Sequence, residues 1–137
     1  MKIKSIEVHP VPMRLKEPYT IAYQTIDSVT NIFCRIETDQ NITGYGCACP
    51  DRAVTGELPE SLIESWNRTV IPILKGSEPL RIAYVMEKLK KSLAAQPSAL
   101  ALADMALHDI LGKTAGIPLF KILGGFRTRI KTSITIG

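Results

Sequence analysis

The chain has 137 residues, enough for one domain with a substantial hydrophobic core, and 45% of them are apolar, as in soluble globular proteins. Lys and Arg number 17 against 13 Asp and Glu, so the net charge is only +4. The cations are scattered apart from a short group at Lys88, Lys90 and Lys91, which excludes the concentrated basic face of a nucleic-acid-binding protein.

Strand patterns fill the first part of the chain, over residues 2–12, 29–38 and 42–48. Ile32, Cys34 and Ile36 alternate with other side chains in the period of two expected for a strand with unlike faces. We expect Pro10 and Pro12 to end the first strand, and turn residues after the second strand to lead into the third. The three segments predict an antiparallel meander with one long connection, residues 13–28.

Helical patterns fill the rest as four segments: one after Pro59 that Pro72 and Gly76 interrupt, residues 80–93, a segment from Pro97 to Gly112 or Gly116, and residues 118–123. In the first, Leu62, Trp66 and Val70 recur at the spacing of one helical face. Ser98 is a candidate N-cap of the third helix, and the Gly pair at 124–125 should stop the fourth. These elements predict an α+β fold, in which a three-stranded antiparallel meander is followed by a helical bundle.

The cysteines and histidines do not suggest a metal or catalytic site. Cys47 and Cys49 lie on one side of an extended segment, but the only histidines are His9 and His108, and a closed thiolate site usually needs four ligands. We therefore expect ordinary packed thiols. Asp104 and His108 are four residues apart, which favours a structural hydrogen bond on one helix face, since no nucleophile accompanies them.

Membrane and export signals are lacking in the sequence. No apolar run reaches the 18 residues or more that a membrane span requires. The N-terminal residues are followed by polar side chains and not by the apolar core of a signal peptide. We therefore expect a cytoplasmic protein with no membrane partner.

The last residues, 131–137, predict another β-strand. Ile134 and Ile136 alternate there with Ser133 and Thr135, again with a period of two. No later strand follows it in this sequence. We therefore expect the chain to be a piece of a longer protein, cut where a new structural unit begins.

Three segments of the second half carry a family resemblance: residues 103–110 (ADMALHDI), 116–120 (GIPLF) and 123–125 (LGG). They resemble the end of the capping domain of the enolase superfamily, in its mandelate racemase and muconate-lactonizing branch. Residues 54–57 are similar to the second cap loop of the dipeptide epimerases in that branch, and residues 132–137 to the first strand of their barrel. The resemblance implies an enolase-like N-terminal capping domain over residues 1–125 and the start of a (β/α) barrel over residues 126–137.

The resemblance also implies a chemistry. Family members remove and return an α-proton through an enolate intermediate, with lysines on opposite sides of the substrate and a Mg²⁺ ion held by three carboxylates. Those groups belong to later barrel strands, so no catalytic residue and no metal ligand is expected within this chain. We expect the chain alone to be inactive, and the complete protein to be a homo-oligomeric, Mg²⁺-dependent dipeptide epimerase whose cap contacts its own barrel.

In the family, two cap loops and the first barrel strand recognise the substrate, and the matching residues here are Tyr19, Tyr23, Gln24, Ile26, Asp51, Arg52 and Thr135. Tyr19, Tyr23 and Ile26 are expected to line an apolar pocket, while Gln24, Asp51 and Arg52 are expected to read polar ends of the substrate. Gln24 stands where relatives specific for Ala-Glu carry an arginine, and Cys47 stands where the common Gly-x-Gly-Glu strand end has its acid. Because Gln24 supplies no positive charge, we expect acidic substrate side chains to bind poorly. Because Cys47 is not an acid, we carry no family role over to that position.

Two alternatives stay open from the sequence. One is the cap of a muconate cycloisomerase-like enzyme or of another racemase of the superfamily, and the other is a free-standing binding domain without chemistry. Pocket walls and protein cores are both largely apolar. The aromatic residues of the first loop therefore fit packing of the loop base as well as they fit substrate contact.

Overall fold

The computed structural model describes residues 1–21 and 24–133, except for the side chains of Tyr19, Ile21 and Gln24. Three antiparallel strands form one sheet in the order β1-β2-β3: β1 (Ile3–Ile21), β2 (Gln24–Thr38) and β3 (Thr43–Ala48). The helical elements are α1 (Pro59–Ser65), a π-helical turn (Trp66–Val70), α2 (Ile71–Leu74), α3 (Ile82–Ser92), α4 (Pro97–Ala115) and α5 (Leu119–Ile122). The predicted α+β class, meander and helical bundle are confirmed.

The long connection predicted over residues 13–28 is wrong, because these residues continue the first two strands. Antiparallel pairing runs on through Arg14 opposite Ser28 and Thr20 opposite Thr25. Pro10 and Pro12 do not end β1, since β1 is an edge strand and can turn the side that lacks N–H groups away from its neighbour. β3 ends opposite Ile32, so beyond that point the first two strands form a two-stranded arm.

The core lies between one face of the sheet and α4. Ile32, Cys34 and Ile36 of β2 are buried on that face, as their alternation predicts. Gly44 and Gly46 of β3 touch the backbone of α4 directly. A Cβ atom would lie 2.3 Å from the Ala106 carbonyl oxygen at Gly44, and 2.2 Å from the Leu102 carbonyl oxygen at Gly46. The Gly-x-Gly pattern is thus explained by the close approach of strand and helix.

The first helical segment keeps its predicted apolar face, since Leu62, Trp66 and Val70 are completely buried. The interruption predicted at Pro72 is wrong, because the helical path continues to Leu74. The backbone widens into a π-helical turn immediately before the proline, with the Trp66 carbonyl accepting the N–H of Ile71. This widening agrees with the general effect of proline, which cannot donate to the carbonyl four residues back.

The ends of α4 give one correction and one confirmation. Ser98 is not the N-cap: the residue at that position is Gln96, Pro97 begins the helix, and Ser98 is buried inside its first turn. The helix ends at Gly116, the later of the two predicted positions, where φ is +65°. Glycine adopts this left-handed conformation without the steric cost that other residues meet.

The strand predicted from residue 131 is not formed by Lys131, Thr132 or Ser133, which have no regular structure. A strand needs a neighbouring strand to take its backbone hydrogen bonds, and the sheet of the described part contains only β1, β2 and β3. The remaining positions of that prediction, 134–137, lie outside the described residues. Within residues 1–21 and 24–133, no helix has the length and hydropathy of a membrane span.

Candidate functional site

An open cleft of about 720 Å³ lies between β2 of the arm and the segment that follows β3. Six of its lining residues are Ile26, Ser28, Thr30, Cys49, Asp51 and Arg52. The structure therefore brings together three of the predicted site residues, Ile26, Asp51 and Arg52. Tyr23 and Thr135 lie outside the described residues, as do the side chains of Tyr19 and Gln24.

The cleft continues the core face of the sheet beyond the helices. Alternate residues of a strand point to the same face, so Ile26, Ser28 and Thr30 follow on from buried Ile32. The side chains change from apolar to mixed as the strand leaves the helices, and Ile26 and Thr30 become partly exposed. The result is a wall with an apolar end and hydroxyl groups, suited to a small molecule with both apolar and polar parts.

Asp51 shapes the loop on the other side of the cleft. Its Oδ1 accepts hydrogen bonds from the N–H groups of Ala53 at 2.7 Å and Val54 at 3.3 Å, the turn chemistry typical of aspartate. Its carbonyl oxygen accepts the N–H of Thr55 at 2.8 Å. The second carboxylate oxygen, Oδ2, makes no hydrogen bond or ion pair within the described part of the chain. The loop thus fixes one carboxylate oxygen of Asp51, a residue that lines the cleft, and leaves the other without a partner among the described residues.

Arg52 is less constrained than its neighbour. The guanidinium is exposed, and no hydrogen bond or salt bridge joins it to any residue of ranges 1–21 and 24–133. The Asp51 carboxylate, which the loop holds in place, is therefore adjacent in sequence to an Arg52 guanidinium that has no partner in the described residues. This arrangement can accommodate a ligand with a cationic end, since the flexible arginine can move away.

The three thiols occupy different environments. Cys34 is buried in the core, and burial raises its pKa to about 12. Cys47 is half-buried, its pKa is raised mainly by burial, and its Sγ lies 4.0 Å from Oδ1 of Asn31. Cys49 is exposed at the cleft, so the expectation of packed thiols is wrong for this residue. Cys47 does not line the cleft, which gives no support to a carried-over role at that position.

Glu57 is a residue of this region to which the sequence assigned no role. It is 3% exposed, and its two carboxylate oxygens accept the N–H groups of Ser98 at 2.9 Å and Ala99 at 3.2 Å. The available signal was an acidic residue at the end of the matched segment 54–57, but its partners lie about forty positions later. No local sequence pattern relates Glu57 to Ser98 and Ala99.

The Asp104–His108 pair is structural, as expected. Nδ1 of His108 lies 2.9 Å from the Asp104 carbonyl oxygen and 3.3 Å from its Oδ1. Neither residue lines the cleft. In the described ranges, no group of three or more His, Cys, Asp and Glu side chains is arranged to hold a metal ion.

Comparison with known proteins gives the following relationships. Residues 3–124 match the family described as the mandelate racemase / muconate lactonizing enzyme N-terminal domain. The chain is 44% identical, over its whole length, to an L-Lys-D/L-Arg epimerase of Desulforapulum autotrophicum, and covers 39% of that protein. The chain thus spans about two fifths of the length of the curated relatives it matches.

Two solved structures are similar in fold. A dipeptide epimerase of Enterococcus faecalis V583, complexed with Mg and L-Leu-L-Tyr, superposes with a TM-score of 0.93 at 35% identity, covering 100% of this chain and 38% of that one. A dipeptide epimerase of Methylococcus capsulatus, complexed with Mg and L-Arg-D-Lys, superposes with a TM-score of 0.85 at 35% identity. This match covers 90% of the present chain and 35% of the epimerase chain. The three-stranded sheet with its helices therefore occurs as the N-terminal part of larger enzymes.

Proposed function

Because this chain belongs to the mandelate racemase / muconate lactonizing enzyme N-terminal domain family, we propose that it is the substrate-recognition cap of a Mg²⁺-dependent dipeptide epimerase. Residues 1–125 form the cap, and residues 126–137 begin a (β/α) barrel domain of the same protein. The observation that carries this proposal is the cleft in which Ile26, Asp51 and Arg52 meet. The dipeptide epimerases among its relatives support it.

The proposed reaction inverts the configuration of one α-carbon of a dipeptide by removing and returning its proton. The residues of the cap do not transfer that proton. The described part of the chain has no group of His, Cys, Asp and Glu side chains that could hold a metal ion, and the family resemblance assigns the carboxylates for Mg²⁺ and the acid–base lysines to the barrel. When bound there, the ion stabilises the negative charge that develops on the substrate carboxylate.

The contribution of the cap is to bind, orient and enclose the substrate. Contacts with the non-reacting side chain hold the α-carbon where the barrel groups can reach it, and such positioning is worth several kcal/mol in general. Ile26 offers an apolar surface, and the fixed carboxylate of Asp51 offers a negative charge. Closing the cleft over the substrate also excludes water from the reacting centre.

We propose a dipeptide with a long or cationic side chain as the substrate. The unpartnered Oδ2 of Asp51 suits an ammonium or guanidinium group, and a charge-assisted contact of this kind is stronger than a neutral one. Relatives named for Lys and Arg support this choice. Gln24 has no charge with which to pair a glutamate side chain. The complete protein is proposed to be a cytoplasmic homo-oligomer.

The decisive experiment is solvent deuterium exchange at the α-carbon. A polypeptide in which this cap precedes its barrel is incubated in deuterated buffer with Mg²⁺ and a panel containing Ala-Lys, Arg-Lys, Ala-Phe and Ala-Glu. We expect rapid incorporation of deuterium into the cationic dipeptides, and none with the 137-residue chain alone. Exchange only with a different carboxylate would favour another racemase of the superfamily. Ligand binding by the 137-residue chain, together with no exchange in the cap-and-barrel polypeptide, would favour a free-standing binding domain.

A further inference from the structure

Glu57 combines a negative charge with almost complete burial, at the end of the loop that lines the cleft. It is 3% exposed, and no ion pair joins it to any residue of ranges 1–21 and 24–133. A buried carboxylate is costly unless hydrogen bonds satisfy it. Its contacts with Ser98 and Ala99 on α4 are therefore the interactions that hold it in place.

The N-terminus of α4 is well suited to receive this carboxylate. The first N–H groups of a helix have no partner within the helix, and they form its positive end. Gln96, at the N-cap position of this 19-residue helix, makes no side-chain capping hydrogen bond. Glu57 supplies the missing acceptors with both of its oxygens, from a distant part of the chain.

A continuous path of hydrogen bonds joins Glu57 to the cleft. The N–H of Glu57 donates to Oγ1 of Thr55 at 3.4 Å, and that hydroxyl donates to the carbonyl oxygen of Asp51 at 3.0 Å. Asp51 is one of the residues that line the cleft. The backbone of Glu57 is thus connected to the backbone of Asp51 through the Thr55 hydroxyl.

The other end of the loop rests on the same helix. β3 leads into the loop, and its Gly46 lies against the Leu102 carbonyl of α4 so closely that a Cβ atom would be 2.2 Å away. Helix α4 is thus the common base for both ends of the segment 49–57. The glycine contact holds the first end, and the buried carboxylate holds the second.

We infer that Glu57 is a positioning residue for substrate specificity: its carboxylate anchors the cleft loop to α4 and so sets the place of Asp51. The inference rests on the proposed function, because it assigns to Glu57 the geometry of that same site. Glu57 does not contact the substrate in this scheme. It acts through Thr55 and Asp51.

Hydrogen exchange of backbone amides tests the inference on the 137-residue chain without any substrate. Glu57→Gln keeps the length of the side chain but leaves one oxygen to accept, so it weakens the anchor. Thr55→Val removes only the link between Glu57 and Asp51. Trp66→Phe is the control for a general loss of core packing, because Trp66 is completely buried and its Nε1 donates to the Ala99 carbonyl oxygen at 3.2 Å, at the same turn of α4.

In Glu57→Gln we expect the amides of Ala53, Val54 and Thr55 to exchange about tenfold faster or more, corresponding to loss of one charge-assisted hydrogen bond. Thr55→Val should accelerate the loop amides and leave those of Ser98 and Ala99 unchanged. Trp66→Phe should accelerate exchange of amides throughout the core, because it leaves a cavity there, and should not act selectively on the loop.

The inference is overturned if Glu57→Gln accelerates only the helix amides, or if it accelerates the loop amides no more than Trp66→Phe does at the same loss of overall stability. Because no turnover is measured, this outcome is independent of whether the protein is an epimerase. In the epimerase itself, Glu57→Gln should raise KM for cationic dipeptides at least about tenfold while kcat changes little. A loss of kcat alone, with KM unchanged, would contradict a positioning role.

Discussion

The carboxylate of Asp109 on α4 accepts a hydrogen bond from the backbone N–H of Tyr45 on β3, with 2.9 Å between Oδ2 and the nitrogen. Lys113 bonds to the same carboxylate, and its Nζ also donates to the Thr43 carbonyl oxygen at 2.7 Å. β3 is an outer strand of the sheet, and these are backbone groups on its free edge. Helix side chains thus occupy positions that would otherwise be open to another strand.

Asp109→Ala should lower the free energy of unfolding by about 0.5–1.5 kcal/mol, because the Tyr45 N–H loses its protein acceptor on an exposed strand edge. Self-association should increase as the strand edge opens. Asp109→Asn keeps an acceptor oxygen and is the control, so its free energy of unfolding should fall less than that of Asp109→Ala. Urea unfolding and sedimentation velocity measure the two effects, and an unchanged unfolding midpoint in Asp109→Ala would contradict the prediction.

Gly46→Ala should destabilise the fold by about 3 kcal/mol or more, since its Cβ would lie 2.2 Å from a helix carbonyl oxygen. Gly56→Ala is the control: it has φ +75° but open space around the position, so only backbone strain of about 1 kcal/mol is expected. Thermal and urea unfolding compare the two. An equal loss of unfolding free energy in Gly46→Ala and Gly56→Ala would contradict the prediction, because it would show that the sheet can move away from α4 with little loss of stability.

Asp51→Asn should keep the loop turn, because the amide oxygen still accepts the N–H of Ala53. It removes the charge, so kcat/KM for cationic dipeptides should fall about ten- to a hundredfold in the cap-and-barrel protein. Asp51→Ala loses the turn as well and should affect every substrate. A similar loss on Ala-Phe and Ala-Lys in Asp51→Asn would argue against charge recognition by Asp51.

Gln24→Arg should shift preference toward Ala-Glu by about ten- to a hundredfold, since it supplies a charged partner for the glutamate carboxylate. Gln24→Lys tests whether charge alone suffices or the planar guanidinium is needed. Steady-state kinetics on Ala-Glu, Ala-Phe and Ala-Lys measure the change. If the unmodified enzyme already prefers Ala-Glu, another cation recognises the acid and this interpretation of Gln24 is wrong.

Removal of residues 126–137 should lessen self-association of the chain. Phe126 is 92% exposed and Ile130 is 75% exposed, so the segment presents apolar surface to solvent. Phe126→Ser with Ile130→Ser is a matched variant that keeps the chain length. Sedimentation velocity reads the size distribution, and an unchanged distribution in both variants would assign the association to another surface.

The pattern of apolar residues predicted the central elements because burial there follows the local period. The alternation from Ile32 to Ile36 and the stripe from Leu62 to Val70 both lie in the core. The arm was missed because Pro10 and Pro12 usually end a strand, and only the position of β1 at the sheet edge makes them harmless. Pro72 was misjudged for a similar reason, because the π-helical turn before it lets the helical path continue past the proline.

The sequence by itself determined the meander and the helical faces, because alternation and helical spacing are local properties of the chain. Its family motifs also named Ile26, Asp51 and Arg52, but only as separate members of a set of seven candidates. Only the tertiary structure decided that Glu57, and not Ser98, caps α4, and that Ile26, Asp51 and Arg52 line one cleft. A hydrogen bond between residues about forty positions apart depends on how the elements pack. No pattern within either segment encodes that packing.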